Sequence, residues 1–272
     1  MSEEISFTQT ECIICSTANA IEGDKSYWVA IGGTPMVAVL LARKQRCPNV
    51  LYMIEEGYIS PTTPHYNFAF TGAGSDPTYR SVCWTGINTL TTHCGGGYYD
   101  YGILDSIQID QYGNLNTTML GDSWEHPKRR FGGAGGATEI ASLCWRTIVL
   151  TEISKQKFPA KVDFISSPGF LDGSPHAREK VGLPLNTGPW RVFTDKANFG
   201  FDEKTHRMKL LSVAPWSSVD EVRSLLGFEP VIAEHLEPFE VPTEEQLTLL
   251  RTELEPSGTV IHKGDWITYK PE

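Results

Sequence analysis

Two places in the chain carry residue types suited to acyl or anion chemistry. The first is Glu55-Glu56-Gly57, where the apolar run Val50-Leu51-Tyr52-Met53-Ile54 stops abruptly at two carboxylates. A carboxylate at the end of a buried strand can act as a nucleophile or general base, since ligands of open α/β sheets collect beyond the carboxyl ends of the strands. From position alone, a solvated turn residue is the simpler reading of Glu55. If Glu56 were enclosed beside it, like-charge repulsion would raise the pKa of one of them. The second place is Gly132-Gly133-Ala134-Gly135-Gly136-Ala137, directly before Thr138-Glu139-Ile140-Ala141-Ser142-Leu143, which reads as the start of a helix. Bare backbone N–H groups there suit an anion or a developing oxyanion. A tight turn that needs glycine for positive φ explains the same sequence equally well. No Gly-Lys-Ser/Thr follows, and Thr138 stands where a dinucleotide fingerprint has its third glycine, so neither nucleotide-binding loop is present.

Other reactive residues fit chemistry less well. Cys12 and Cys15 form a C-x-x-C pair on an apolar stretch, but no second pair stands at zinc spacing, so core packing is the expectation. His93-Cys94 offers a base beside a thiol, yet adjacent residues rarely face each other. The remaining histidines lack H-x-H or H-x-x-x-H spacing, and no metal site is expected.

Elements must position these groups. Thr8 to Ile21 has apolar residues at helical spacing (Ile13, Ile14, Ala18, Ile21) behind the candidate caps Ser6 and Thr8, which predicts an amphipathic helix. Trp28-Val29-Ala30-Ile31 running into Gly32-Gly33, with Pro35 before a helix from Met36 to Gln45, is a strand–turn–helix unit. Val50 to Ile54 reads as the next strand. Further strands are expected at Ser106 to Ile109, Thr147 to Leu150, Val162 to Ile165 and Arg191 to Phe193, and a C-terminal helix from Thr243 to Glu253. Continuous rather than alternating apolar runs indicate strands covered on both faces. The expected fold is therefore α/β, an open and mostly parallel sheet flanked by helices. Without repeats, low-complexity segments or linkers, residues 1–272 are expected to form a single domain.

Charge narrows the function. Over 272 residues, 23 Lys and Arg oppose 33 Asp and Glu, a net charge of −10 with the cations scattered, which excludes a general nucleic-acid binder. No apolar run approaches the roughly 18 residues of a membrane span, and Met36 to Ala42 is stopped by Arg43, Lys44 and Arg46. The acidic start Met1-Ser2-Glu3-Glu4 does not resemble a signal peptide, so the cytoplasm is the expected compartment. The six cysteines are too sparse for a disulfide framework, and Cys12, Cys15, Cys83 and Cys144 lie in apolar company that predicts buried thiols.

A set of words in order carries a resemblance. They are Ile54-Glu55-Glu56-Gly57; Gln108-Ile109-Asp110-Gln111-Tyr112-Gly113-Asn114-Leu115-Asn116; His126-Pro127-Lys128 with Arg130-Phe131 and the glycine loop; Ser167-Pro168-Gly169-Phe170-Leu171-Asp172-Gly173; Gly182-Leu183-Pro184; and Phe201 to Met208. Together they resemble the β subunit of glutaconate CoA-transferase, a family I CoA-transferase, from about Gly32 to Gly227. The resemblance implies an open α/β sheet, a catalytic glutamate at Glu55 rather than Glu56, and a glycine loop whose Gly135, Gly136 and Ala137 are oxyanion or CoA contacts. It implies CoA transfer between an acyl-CoA and a carboxylic acid through a glutamyl-CoA thioester, with no permanently bound cofactor and the coenzyme A thioester as substrate. It also implies an α-type CoA-transferase subunit as partner, in an α2β2 heterotetramer. The alternatives are an acyl-CoA C–C hydrolase, decarboxylase or thioesterase on the same scaffold, or a non-catalytic subunit. Two stretches depart from the pattern: Gly102 to Ile107, and the aromatic region from Ser60 to Tyr101 (Tyr66, Phe68, Phe70, Tyr79, Trp84, Tyr98, Tyr99, Tyr101). Core or subunit-interface packing is the expectation for these aromatics, and the alternative is a substrate pocket remodelled for something bulkier than a short dicarboxylate.

Overall fold

The structure, a computed structural model, describes residues 4–30, 33–62, 66 and 80–270. Strand β1 (Ile5–Thr8) leads into helix α1 (Gln9–Ala20). Thr8 caps the helix: its hydroxyl accepts from the Glu11 N–H at 3.1 Å, while the Glu11 carboxylate accepts from the Thr8 N–H at 2.8 Å. Strand β2 (Ser26–Val29), helix α2 (Gly33–Gln45) and strand β3 (Leu51–Ile54) form the expected unit. The chain turns back through β4 (Tyr58–Ile59) and β5 (Cys83–Trp84) to helix α3 (Ile87–Gly95) and strand β6 (Tyr101–Asp105). Two short ladders follow, β7 (Gln108–Ile109) with β8 (Leu115–Asn116) and β9 (Met119–Leu120) with β10 (Arg129–Arg130). Then come α4 (Ala137–Leu143), β11 (Arg146–Leu150), α5 (Ala177–Lys180), β12 (Gly188–Phe193), β13 (Ala197–Phe201), β14 (Met208–Val213), α6 (Val219–Ser224) and β15 (Val231–Ile232). Helix α7 (Glu244–Leu249) runs into a π turn (Leu250–Leu254), and β16 (Trp266–Tyr269) pairs with β1.

Among the described residues, ten strands make the main sheet in the order β15-β14-β13-β12-β11-β6-β2-β3-β4-β5. The central strands β12, β11, β6, β2 and β3 are parallel, and antiparallel strands join at both sides. Side chains alternate between two cores. Tyr27 and Val29 of β2, Tyr52 and Ile54 of β3, and Ile103 of β6 pack with α1 and α2 on one face. Trp28, Met53 and Leu104 pack with α3 and α4 on the other. This period of two, buried on both faces, explains why these strands read as unbroken apolar runs.

Several expectations need correction. The stretch Ser106 to Ile109 is no main-sheet strand: only Gln108–Ile109 pair, in the ladder with β8. Val162 to Ile165 is irregular, and polar groups of Asp163 are committed to distant segments rather than to a strand ladder. The Asp163 N–H donates to Gln108 Oε1 at 3.1 Å, and the Asp163 carboxylate accepts from the Gly121 N–H at 2.8 Å. The central strand is instead Tyr101–Asp105. Its Gly102 lets α4 sit close, since a Cβ there would lie 2.2 Å from Ile140 Cγ2. Cys83 is exposed, whereas Cys12, Cys15 and Cys144 are buried as expected. Ile31, Gly32, Phe68, Phe70 and Tyr79 lie outside the described residues. Among the described residues, no helix is long and apolar enough to cross a membrane.

Candidate active site

The turn after β3 presents Glu55. The Gly57 N–H donates to the Ile54 carbonyl at 2.9 Å, and the Thr85 N–H donates to the Gly57 carbonyl at 3.0 Å, which pins the turn to the segment after β5. Gly57 has φ +106° and stands so close to that segment that a Cβ would lie 2.0 Å from the Thr85 carbonyl oxygen. No other residue fits there. The fixed turn holds Glu55 half-buried beyond the carboxyl end of a central parallel strand, with Glu56 half-buried beside it.

The glycine loop meets this carboxylate. The Gly136 N–H donates to Glu55 Oε1 at 2.6 Å, a short, charge-assisted bond. A Cβ at Gly136 would lie 2.6 Å from Oε1 and 2.9 Å from Cδ, so the contact requires glycine by steric exclusion. Gly136 itself has φ −78°, which any residue can adopt. Gly135 has φ +52°, and a Cβ there would be 3.4 Å from the same oxygen. The Ala137 N–H is committed to the Ala134 carbonyl at 2.9 Å. Of the three loop residues singled out from sequence, Gly136 makes the polar contact with Glu55, Gly135 borders it, and Ala137 turns inward.

A polar network fixes the loop. The Phe131 and Gly133 N–H groups donate to the Thr118 and Thr117 carbonyls at 2.8 and 3.2 Å, extending the β9–β10 ladder toward Gly136. Buried Asn116 shapes the strand on the other side of this ladder: its Nδ2 donates to Gln108 Oε1 and the Met119 carbonyl, both at 2.7 Å. Thr138 Oγ1 donates to the Ser166 carbonyl at 2.7 Å. Behind α4, buried Arg178 donates to the carbonyls of Ala141 and Ser142 at 3.0 and 3.2 Å, of Pro168 and Gly169 at 3.0 and 2.7 Å, and to Thr187 Oγ1 at 2.9 Å. Burial pushes its guanidinium down to about 10. Arg178 closes the carboxyl end of the helix whose amino end carries Gly136. Sequence reading missed it, because Ala-Arg-Glu-Lys looks like a solvated polar stretch.

Two of the sequence words prove architectural. Asp110 accepts from the Tyr112 and Asn114 N–H groups at 3.0 and 3.1 Å, and burial pushes its carboxyl above the usual range despite these bonds. Asn114 Oδ1 accepts from the Gly169 and Leu171 N–H groups at 2.9 and 3.1 Å. The Gln108 to Asn116 and Ser167 to Gly173 words therefore recognise each other. His93 and Cys94 do not form a dyad: the imidazole packs on Tyr98, and the thiol is buried 3.6 Å from Cys144 Sγ. The described aromatics divide: Tyr66 and Tyr99 are buried and Tyr101 stacks on Tyr27, while Trp84 and Tyr98 are exposed. Among the described residues, no group of three or more His, Cys, Asp and Glu side chains could hold a metal ion.

The open α/β sheet agrees with that of a solved relative of this chain. The family model for coenzyme A transferase matches residues 69–225. The B-type subunit of glutaconate CoA-transferase from Acidaminococcus fermentans is 31% identical over 270 residues, covering 96% of this chain and 97% of the relative. The B-type subunit of 3-oxoadipate CoA-transferase from Pseudomonas knackmussii is 30% identical, covering 90% and 92%. The crystal structure of the Acidaminococcus glutaconate coenzyme A-transferase superposes with a TM-score of 0.86 at 30% identity, over 94% of this chain and 97% of that one. A cholesterol ring-cleaving hydrolase IpdB subunit of Rhodococcus jostii is 25% identical, over 94% and 96%. The chain belongs to the coenzyme A transferase family, and the α/β fold expected from its sequence is the one observed.

Proposed function

We propose that this chain, as one domain over residues 1–272, is the β-type subunit of a heteromeric CoA-transferase in which Glu55 carries CoA between an acyl-CoA and a carboxylic acid. The supporting observation is the 2.6 Å bond from the Gly136 N–H to Glu55 Oε1. The Glu55 carboxylate attacks the thioester carbonyl carbon; the C–S bond breaks, and an acyl-glutamyl anhydride and CoA thiolate form. The thiolate then attacks Glu55 Cδ, the donor acid leaves as its carboxylate, and a glutamyl-CoA thioester remains. The acceptor carboxylate attacks Cδ in turn, and the same two steps run in reverse. Whenever Cδ is attacked, negative charge develops on a Glu55 oxygen. Oε1 already receives the Gly136 N–H, so the donor is in place where the oxyanion forms, and Oε2 is left to attack.

The named relatives are B-type subunits, which supports an α-type partner; we assign an α2β2 heterotetramer and the cytoplasm as its compartment. Acyl-CoA and a carboxylic acid are the substrates, and coenzyme A is a substrate rather than a resident cofactor. Mass spectrometry of the assembled enzyme after exposure to acyl-CoA tests the reading. A CoA adduct on the peptide containing Glu55 is expected, and CoA transfer at full rate with no adduct at Glu55 would overturn it.

A further inference from the structure

The hairpin that feeds the glycine loop carries three consecutive cations, Lys128, Arg129 and Arg130, on a chain of net charge −10, and both arginines are exposed. Elsewhere Lys44, Lys157, Lys196, Arg223 and Arg251 each stand in an ion pair. Among the described residues, no ion pair involves Lys128, Arg129 or Arg130, although Asp122 and Glu125 lie in the turn of the same hairpin. The arginines are also held in place. The Arg130 guanidinium lies 4.4 Å over the Trp124 ring and donates to the Trp124 carbonyl, and that of Arg129 lies 4.9 Å over Phe131. Stacking takes up the face of each guanidinium and leaves its in-plane N–H donors for an anion, apart from the one that Arg130 gives to the Trp124 carbonyl.

Position gives this cluster a ligand. Gly136 lies six positions after Arg130, so their Cα atoms stand at most about 20 Å apart. The pantetheine arm of an acyl-CoA has the length of an extended peptide of four to five residues, roughly 15 Å. A thioester at Glu55 thus places the diphosphate and 3′-phosphate groups of CoA within reach of the hairpin's long side chains. We propose that Arg129 and Arg130 bind the phosphate groups of the acyl-CoA substrate, as bidentate donors on a preformed ladder. The inference rests on the reading of Glu55 as the group that meets the thioester.

The test compares the assembled enzyme with its Arg129→Ala/Arg130→Ala variant, using acyl-CoA and the phosphate-free acyl-pantetheine. The preference of kcat/KM for acyl-CoA over acyl-pantetheine is expected to fall about 10- to 100-fold, and free CoA to bind correspondingly more weakly by calorimetry with a reduced salt dependence. Equal losses with both substrates, an unchanged affinity for CoA, or failure of the variant to assemble with its partner would each overturn the proposal. Calorimetry of free CoA involves no transfer chemistry, so its result stands apart from the role of Glu55. Arg130→Lys keeps the charge but not the fork, and should retain part of the preference.

Discussion

The Gly136 N–H and Glu55 Oε1 meet at 2.6 Å across 81 positions of sequence, and the space between them excludes even a methyl group. Two elements are thereby registered to within a bond length: the turn after β3 and the loop before α4. A nucleophile must be placed to about this tolerance to be effective.

Replacing the carboxylate tests this directly. Glu55→Ala should abolish CoA transfer in the assembled enzyme while the thermal transition stays near wild type, because the side chain is half-buried rather than part of either core. Glu55→Asp withdraws the carboxylate by about 1 Å and should cost ~10²-fold in kcat. Glu56→Ala serves as the control and should be much milder. Wild-type transfer by Glu55→Ala would remove Glu55 from the reaction.

At Gly136 the backbone is ordinary and only the space is special. Gly136→Ala should therefore fold normally, yet push Glu55 away from its donor and lower kcat by about 10²-fold or more; Gly136→Val should be worse. Circular dichroism and subunit assembly should be unaffected. Gly135→Ala differs in kind: at φ +52° its cost should show in stability as well, by about 1 kcal/mol.

The meeting of Glu55 with the glycine loop joins two segments that the sequence singled out for physical reasons. Glu55 stands out because a fully buried strand must be apolar and must end somewhere, and the loop stands out because close approach demands glycine. The resemblance then chose between Glu55 and Glu56, which position alone could not. What stayed hidden is packing-dependent. Tyr101–Asp105 runs through the middle of the sheet, but Gly102 breaks its strand pattern, and the need for that glycine comes from Ile140 on a helix some forty positions on. Val162 to Ile165 has strand-like residues whose backbone is claimed by the Gln108 side chain. Arg178 is polar and sits in a polar stretch, so only the carbonyls gathered around it reveal its burial.

Arg178 supplies a stability prediction. Arg178→Ala strands carbonyls of α4 and of the Pro168-Gly169 segment without donors, and should cost on the order of 2–4 kcal/mol, measured by urea unfolding. Activity of the remaining folded enzyme should also fall, since the amino end of α4 carries Gly136. Arg178→Lys cannot span both carbonyl groups and should rescue little. A variant as stable as wild type would show that water replaces these bonds without loss.

Assembly follows from the proposed heteromer. The purified chain alone should be inactive and should gain transferase activity on mixing with its α-type partner, at a size in light scattering that fits two copies of each. Full activity from this chain alone would require a complete site in one subunit.

Transfer and hydrolysis on this scaffold differ in what happens to acyl-CoA when no acceptor acid is present. A transferase stops after one turnover with CoA on Glu55, a thioester open to hydroxylamine and borohydride. Either reagent should then inactivate the assembled enzyme, only after acyl-CoA has been added, and in proportion to the CoA released. Excess carboxylic acceptor should protect, because it discharges the thioester first. A C–C hydrolase or decarboxylase would instead consume its acyl-CoA continuously and stay insensitive to both reagents. Sustained turnover without acceptor, together with no CoA on Glu55, would reassign this carboxylate to proton transfer. The Gly136 N–H would then orient it as a general base rather than await an oxyanion.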